Sequence, residues 1–174
     1  MGVIKLFRLI LSPYRRLKKW YFTFYVRLKA AKTEEILNVN HRCYVSSNTY
    51  LGNNVNFNGI RISGNANVII GDNFHSGYGC AIMSSYHNYD NGTSIPYDHT
   101  MISKDIIIGD NVWFGINVTI LTGVNIGEGA IIQAGSVVVS DIPPLAIAGG
   151  HPAKVFKYRD ENHYFSLKKE NKFV

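Results

Sequence analysis

Residues 102–142 read ISKDIIIGDNVWFGINVTILTGVNIGEGAIIQAGSVVVSDI, and a large apolar residue recurs in them at every sixth position. The recurring positions are Ile102, Ile108, Phe114, Ile120, Ile126, Ile132 and Val138. Four residues after each comes a second set, mostly small or β-branched: Ile106, Val112, Val118, Val124, Ala130, Ser136 and Ile142. Neither the 3.6-residue period of an α-helix nor the two-residue period of a strand explains a sustained period of six.

A period of six predicts a coil with three short flat sides that turns after every hexad. Such a chain returns to its first side after about 18 residues, so Ile108 should lie over Ile126 and Phe114 over Ile132. Neighbouring coils should lie about 4.8 Å apart, as neighbouring strands do. The repeat therefore predicts a β-helix, in which each coil buries its apolar side against the coils next to it.

The same spacing extends towards the N-terminus with less regularity. Its positions there are Val45, Leu51 and Phe57 and then, after slippage of one or two residues near Ile62 and Gly64, Ile70, Ser76 and Ile82. Between Ile82 and Ile102 the chain has a surplus of about 14 residues over one hexad, which predicts an excursion loop at 84–101. Long loops on a regular scaffold are where function concentrates.

Composition favours one domain with appendages, because the chain has 174 residues and 46% hydrophobic residues. Two cysteines, Cys43 and Cys80, are too few for a disulfide framework, which favours a cytoplasmic, reducing compartment. Charge is concentrated at one end, since residues 1–32 hold nine basic residues and no acidic ones. The basic character therefore belongs to an N-terminal arm, residues 1–36, and not to the coil.

The arm is predicted to be helical, with a break and restart at Ser12-Pro13. After the break, one face carries Tyr14, Leu17, Tyr21, Phe24, Tyr25 and Leu28. This face could pack on the coil or on a neighbouring subunit, or it could lie on an anionic membrane surface beside the basic residues. No uncharged run is long enough to span a bilayer, no signal-peptide cleavage site follows, and no nucleic-acid recognition motif accompanies the charge.

Several motifs in register resemble those of the hexapeptide-repeat acyltransferases, and most closely the maltose, galactoside and colanic-acid O-acetyltransferases. They are Ile108-Gly-Asp-Asn-Val-Trp-Phe-Gly115, Val118 to Ala130, Ala134-Gly-Ser-Val-Val138, Asp141-Ile-Pro-Pro144 and Gly150-His-Pro-Ala-Lys154. The resemblance covers residues 45–159. It implies a left-handed parallel β-helix, here 41–144, followed by a coenzyme-binding turn and tail at 145–174. It also implies a homotrimer whose active sites lie between subunits, with acetyl-coenzyme A as donor.

Acetyl transfer from a thioester needs a base for the acceptor hydroxyl and a donor for the oxyanion. Histidine suits the first task because its pKa lies near neutrality. By the resemblance, the excursion supplies this base, and Tyr86-His87-Asn88-Tyr89 has the expected His-Asn pattern, so His87 is predicted to be catalytic. Predicted acceptor contacts are Tyr86, Asn88, Asp90, His75 and His99, with Asp98 as a further candidate to orient an imidazole.

The resemblance also indicates where the coenzyme binds. The expected contacts are Trp113, Gly115, Ala134, Gly135, Gly150, Pro152, Lys154, Lys157 and Arg159. Glycines and a small residue would leave room for close approach of the pantetheine chain, and the cations would meet phosphates. His151 departs from the Asn that the family usually has, and Phe114 from its usual Ile.

The sequence therefore predicts an acetyl-coenzyme A-dependent O-acetyltransferase for a sugar hydroxyl in a surface polysaccharide or lipid-linked glycan. The alternatives are N-acetylation of an amino sugar or an antibiotic, and a β-helix that serves only as a scaffold. No metal site is predicted, because the related carbonic anhydrases need closely spaced histidines and none of the six here are five residues apart. The arm gives a possible contact with the inner face of the cell membrane.

Overall fold

The computed structural model describes the backbone of residues 2–174 and the side chains of residues 13–174. Helix α1, Gly2–Lys29, precedes the strands and helix α2, Glu161–Lys169, follows them. The strands are β1 Lys32–Thr33, β2 Leu37–Val39, β3 Thr49–Leu51, β4 Val55–Phe57, β5 Arg61–Ser63, β6 Val68–Ile70, β7 His75–Ser76, β8 Ala81–Met83, β9 Ser85–His87, β10 Met101–Ser103, β11 Ile106–Ile108, β12 Trp113–Phe114, β13 Thr119–Ile120, β14 Asn125–Ile126, β15 Ile131–Ile132, β16 Val137–Val138, β17 Ala146–Gly150 and β18 Ala153–Tyr158.

All of the strands except β9 and β10 form three sheets, which are the sides of a triangular coil. The first face has the order β1-β3-β6-β11-β14, the second β18-β17-β15-β12-β7-β4-β2 and the third β16-β13-β8-β5. Every pair within them is parallel except β17 with β18. Ile108 pairs with Ile126 and Phe114 with Ile132, which confirms the predicted parallel β-helix and its 18-residue turn.

The core is a column of inward side chains at the two recurring positions of each hexad. Every predicted inward residue from Ile106 to Ile142 is buried. Phe74 meets Phe57 and Phe114 edge to face, with ring centroids 6.0 and 4.9 Å apart. The predicted slippage is also present, because the partners Leu51 and Ile70 are 19 residues apart and Ile62 and Ile82 are 20 apart.

The excursion is longer than the sequence analysis predicts. Ile82 pairs with Ile120, 38 residues later, which is 20 more than the 18 of a complete turn. Ile102 is not a coil residue, because it pairs with Tyr86 in an antiparallel hairpin of β9 and β10 that leaves the wall. The coil resumes at Ile106, whose partner one turn earlier is Val68.

One corner of the coil carries a ladder of asparagines in the left-handed backbone conformation. Asn54, Asn73 and Asn111 have φ of 55, 54 and 60°. Each of the first two donates its side-chain amide to the next, over 2.9 and 3.0 Å, and Asn111 donates to the hydroxyl of Tyr164 on α2 over 2.8 Å. The ladder satisfies side-chain polar groups from coil to coil and ends by docking the C-terminal helix.

Helix α1 packs against the N-terminal end of the coil. Val26 is fully buried there, Thr23 accepts a hydrogen bond from the Val39 amide, and the Arg27 guanidinium donates to the carbonyls of Glu34 and Glu35. The predicted break at Ser12-Pro13 is wrong, since α1 runs through Pro13. Proline removes only one ladder hydrogen bond, and the turns on either side keep the helix continuous. The predicted apolar side chains of residues 3–11 lie outside the described side chains.

The outer side of α1 is apolar and exposed. This aromatic stripe, each member more than half exposed, consists of Tyr14, Leu17, Trp20, Tyr21, Phe24 and Leu28. Tyr25, which the sequence analysis places on the same face, packs instead against the core beside Phe22. In the part of the chain that the structure describes, no helix combines the length and hydropathy needed to cross a bilayer.

Candidate active site

The excursion begins as a two-stranded hairpin that carries His87 to its outer end. His87 is exposed and pairs with Met101, the first residue of β10. Beyond it the Asn88 amide donates to the Thr100 carbonyl over 3.1 Å, which closes the base of the loop. The catalytic candidate therefore lies where a regular hairpin gives way to a loop.

Asp98 and Asn88 organise the loop of residues 88–100 from inside. The buried Asp98 carboxylate accepts hydrogen bonds from the Thr100 hydroxyl and amide and from the Thr93 amide. These donors, that of the Thr100 hydroxyl foremost, lower the pKa of Asp98. The Asn88 side chain donates to the Thr100 hydroxyl and accepts from the Asn91 amide. Asp98 thus shapes the loop and stays ionised.

The ring of Tyr97 stacks on the imidazole of His87. Their centroids are 4.0 Å apart and their planes differ by 18°. Tyr97 is itself held by its neighbours, because its carbonyl accepts from the Ser94 hydroxyl over 3.0 Å and Asp98 follows it directly. Sequence analysis missed this contact, and the ten residues that separate the two rings leave no local signal for it.

Most of the other predicted acceptor contacts belong to the same loop. Tyr86, Asp90 and His99 are exposed there, and the Tyr86 ring lies 5.6 Å from that of Tyr89. His75 is the exception, because it lies on the second face and its Nε2 is 3.0 Å from the Val174 carbonyl oxygen. The hairpin leaves the coil after the third face, so His75 does not join the loop residues.

The predicted coenzyme turn joins β17 to β18 at the corner between the second and third faces. Gly149 pairs with Lys154 and Gly150 with Ala153, while the Gly150 amide donates to the Ser136 hydroxyl over 3.2 Å. Lys154 is exposed. Gly135 has a φ of +72° and no atom within 4 Å of the place where a Cβ would stand. This corner is therefore open to a ligand.

Gly115 has a different reason for its missing side chain. A Cβ there would stand 2.6 Å from the backbone nitrogen of Ala134 in the next coil. The expectation that Gly115 makes room for a coenzyme is therefore wrong in its reason, since close stacking of the coils already requires glycine. Ala134 itself is exposed at the same corner as Gly135.

Lys157 and Arg159 have separate surroundings although they are two residues apart. Lys157 is exposed and pairs with Ile147 at the start of β17. The Arg159 guanidinium donates to the Gly129 carbonyl over 3.2 Å and lies 4.8 Å from the ring centre of Tyr164. Arg159 therefore holds α2 to the coil, while Pro152 and Lys154 lie at the other end of β18.

Trp113 lies on the second face, where it pairs with His75 and Ile131. Its exposed ring lines a groove of about 330 Å³ between the coil and the C-terminal segment, with Tyr164, Lys168 and Phe173 on the other side. No group of three or more His, Cys, Asp or Glu suited to a metal ion occurs among the described side chains.

Comparison with known proteins agrees with this architecture. Residues 105–140 match the family model described as bacterial transferase hexapeptide (six repeats). The probable macrolide acetyltransferase of Lysinibacillus sphaericus is 38% identical over 125 residues, which cover 58% of this chain and 69% of that protein. The chain belongs to the hexapeptide-repeat transferase family.

Other members of the hexapeptide-repeat transferase family extend the likeness. The galactoside O-acetyltransferase of Escherichia coli is 37% identical over 124 residues, 68% of this chain. The chain spans about three fifths of the length of the first curated relatives that it matches, 58% and 60%. A hexapeptide-repeat acetyltransferase of Vibrio cholerae, solved with acetyl coenzyme A, superposes with a TM-score of 0.68 at 27% identity, over 77% of this chain and 74% of that one.

Proposed function

We propose that this protein is an acetyl-coenzyme A-dependent O-acetyltransferase that acts on a sugar hydroxyl. The observation that carries the proposal is the ordered excursion, which presents an exposed His87 in a chain whose relatives include acetyltransferases. The solved relative with acetyl coenzyme A supports the choice of donor. The open corner at Gly135 and Gly150, with Lys154 beside it, supports its binding here.

His87 would act as the general base. Its imidazole takes the proton from the acceptor hydroxyl while that oxygen attacks the thioester carbonyl, and a hydrogen-bond donor stabilises the oxyanion. When the carbon–sulfur bond breaks, the imidazolium returns the proton to the departing thiolate. The thioester is already activated, so no acyl-enzyme is needed and no further nucleophile is proposed.

A homotrimer would complete the site. The excursion leaves the coil between the third and first faces, whereas the turn at Gly150 lies between the second and third. The two predicted halves of one active site are therefore at different corners of the same chain, and a neighbouring copy can bring them together. The first face offers an apolar contact surface, because Tyr50, Ile69 and Ile107 form an exposed column on it.

The acceptor would be part of a surface polysaccharide or a lipid-linked glycan, and α1 would rest on the inner face of the cell membrane. The aromatic stripe supports this, because Trp and Tyr favour the membrane interface and basic residues such as Arg16 and Lys19 flank it. We expect Trp20→Ser with Phe24→Ser to abolish binding to phosphatidylglycerol vesicles in sedimentation. The control Phe156→Ser removes an equally exposed aromatic from β18 and should bind like wild type. Equal binding by all three proteins would contradict a membrane role for α1.

A second candidate acceptor is a macrolide or a related antibiotic, because a macrolide acetyltransferase is among the relatives. The same base could also serve an amino-sugar acceptor. Acetyl transfer to galactosides, amino sugars and erythromycin, measured side by side, separates these classes by kcat/KM. Preference for erythromycin would replace the sugar proposal.

Donor binding tests the enzyme proposal independently of the acceptor. Calorimetry with acetyl-coenzyme A should show binding that Lys154→Ala weakens about tenfold, since a charge-assisted contact is lost. Lys104→Ala removes an exposed charge near the excursion and should leave donor affinity unchanged. No binding at millimolar donor would contradict the proposed co-substrate.

A further inference from the structure

Two arginines meet on one tyrosine at the N-terminal end of the third face. The guanidinium carbon of Arg42 lies 4.8 Å from the ring centre of Tyr44, and that of Arg61 lies 5.2 Å from it. The two carbons can therefore be no more than 10 Å apart. Tyr44 is fixed beside Arg61 by a parallel backbone bridge, in which the Ile62 amide donates to the Tyr44 carbonyl over 2.7 Å.

Within the described residues neither arginine has an anionic partner. The ion pairs there involve Lys32, Lys168 and Lys172, and the arginines that donate side-chain hydrogen bonds are Arg27 and Arg159. Two guanidinium groups at this separation repel each other within one screening length of about 10 Å at 0.1 M salt. An anion between them would remove that repulsion and use their planar donor forks.

The surroundings of the arginine pair indicate where such an anion comes from. Arg42 also lines a cavity of about 410 Å³ with Tyr21, Phe22 and Tyr25 of α1. Tyr21 belongs to the aromatic stripe as well, so the same helix borders the arginines and the surface proposed to face the membrane. Arg61 pairs with Ala81 of β8, the strand that leads into the excursion.

We propose that Arg42 and Arg61, held on Tyr44, bind a phosphate or diphosphate group carried by a membrane lipid. The site lies between the helix that would touch the bilayer and the strand that carries the chain to His87. A lipid-linked glycan bound by its diphosphate there would extend its sugar along the third face towards the excursion. The assignment of the ligand rests on the proposed function, whereas the anion site rests on the arginine geometry alone.

Binding of inorganic pyrophosphate to the full-length protein tests the site without any acetyl transfer. Titration followed by calorimetry should show one class of site, weakened about tenfold or more in Arg42→Gln and in Arg61→Gln, because each loses a charge-assisted contact. Arg61→Lys keeps the charge but not the fork and should lie between the two. Lys104→Gln loses the same charge elsewhere on the surface and should bind like wild type.

A second arm uses vesicles and identifies the source of the phosphate. Loss of pyrophosphate binding with unchanged binding to phosphatidylglycerol vesicles would assign the site to a diphosphate such as that of a lipid-linked acceptor. Weaker binding to phosphatidylglycerol vesicles, but not to pyrophosphate, would assign it to lipid headgroups. If Arg42→Gln and Arg61→Gln behave like Lys104→Gln with both probes, the proposal is wrong. A protein that binds pyrophosphate at this site but never transfers acetyl groups would contradict the proposed function and leave the anion site intact.

Discussion

Removal of one hydroxyl should loosen the C-terminal helix without disturbing the coil. The Tyr164 hydroxyl accepts from Asn111 and donates to Glu128 Oε1, both over 2.8 Å, so it joins the asparagine ladder to an ionised carboxylate. Burial, followed by the Glu128 hydrogen bond, raises the pKa of Tyr164 to about 12. The hydroxyl therefore keeps its proton, and its donor role, at any working pH.

Tyr164→Phe keeps the buried ring and its contact with Arg159 but removes both hydrogen bonds. One half-buried hydrogen bond and one to a charged group together amount to about 1–2 kcal/mol. Since the helix contributes a single buried side chain, Tyr164, the loss should fall on its docking and not on the coil. Local opening of residues 161–169 should become about tenfold more frequent.

Hydrogen exchange resolved by segment measures this directly. In Tyr164→Phe the amides of α2 should exchange about tenfold faster, while those of β11 to β15 keep wild-type rates. The matched control is Tyr158→Phe, which deletes an exposed hydroxyl on β18 with no hydrogen-bond partner among the described residues. The reasoning is refuted if both variants protect α2 equally, or if Tyr164→Phe destabilises the coil amides by the same factor.

Three further outcomes follow from individual contacts. Burial alone would raise the pKa of Glu128, but hydrogen bonds from Lys168 and Tyr164 lower it below its ordinary 4.5, so its contribution to α2 docking should be present above pH 4.5 and lost on further acidification, as exchange at pH 6 and 3.5 can show. Tyr97→Ala should lower kcat several-fold with an unchanged KM for the donor, whereas Tyr97→Phe, which keeps the ring stack, should restore it. Gly115→Ala should cost about 1–3 kcal/mol in urea unfolding, because its Cβ would meet the Ala134 backbone.

The period of six predicts the coil well because it is a local rule repeated at every hexad. Each inward residue from Ile106 onwards is apolar or small, and a coil contacts only its neighbours, so no long-range contact has to be guessed. The rule fails where a residue matches the period by coincidence. Ile102 has the right type and spacing, yet its partner is Tyr86 in the hairpin.

Contacts made by the excursion and the tail are much harder to predict. Nothing near Tyr97 in the sequence indicates that its ring meets His87, since the contact depends on how Asp98 and Asn88 close the loop. Helix α2 does leave a trace, because Asp160 caps it by accepting from the His163 amide. The asparagines of the ladder recur before each hexad, and their spacing, once noticed, would have indicated a left-handed corner position.

The measurement that addresses the central claim most directly is acetyl transfer by His87→Ala beside wild type and His99→Ala. We predict that His87→Ala loses at least a hundredfold in kcat while its oligomeric state and its affinity for acetyl-coenzyme A remain those of wild type. His99→Ala, which changes another exposed histidine of the same loop, should keep most of the rate. If His87→Ala turns over like wild type, or if His99→Ala loses the activity instead, His87 is not the base and the account of this site is wrong.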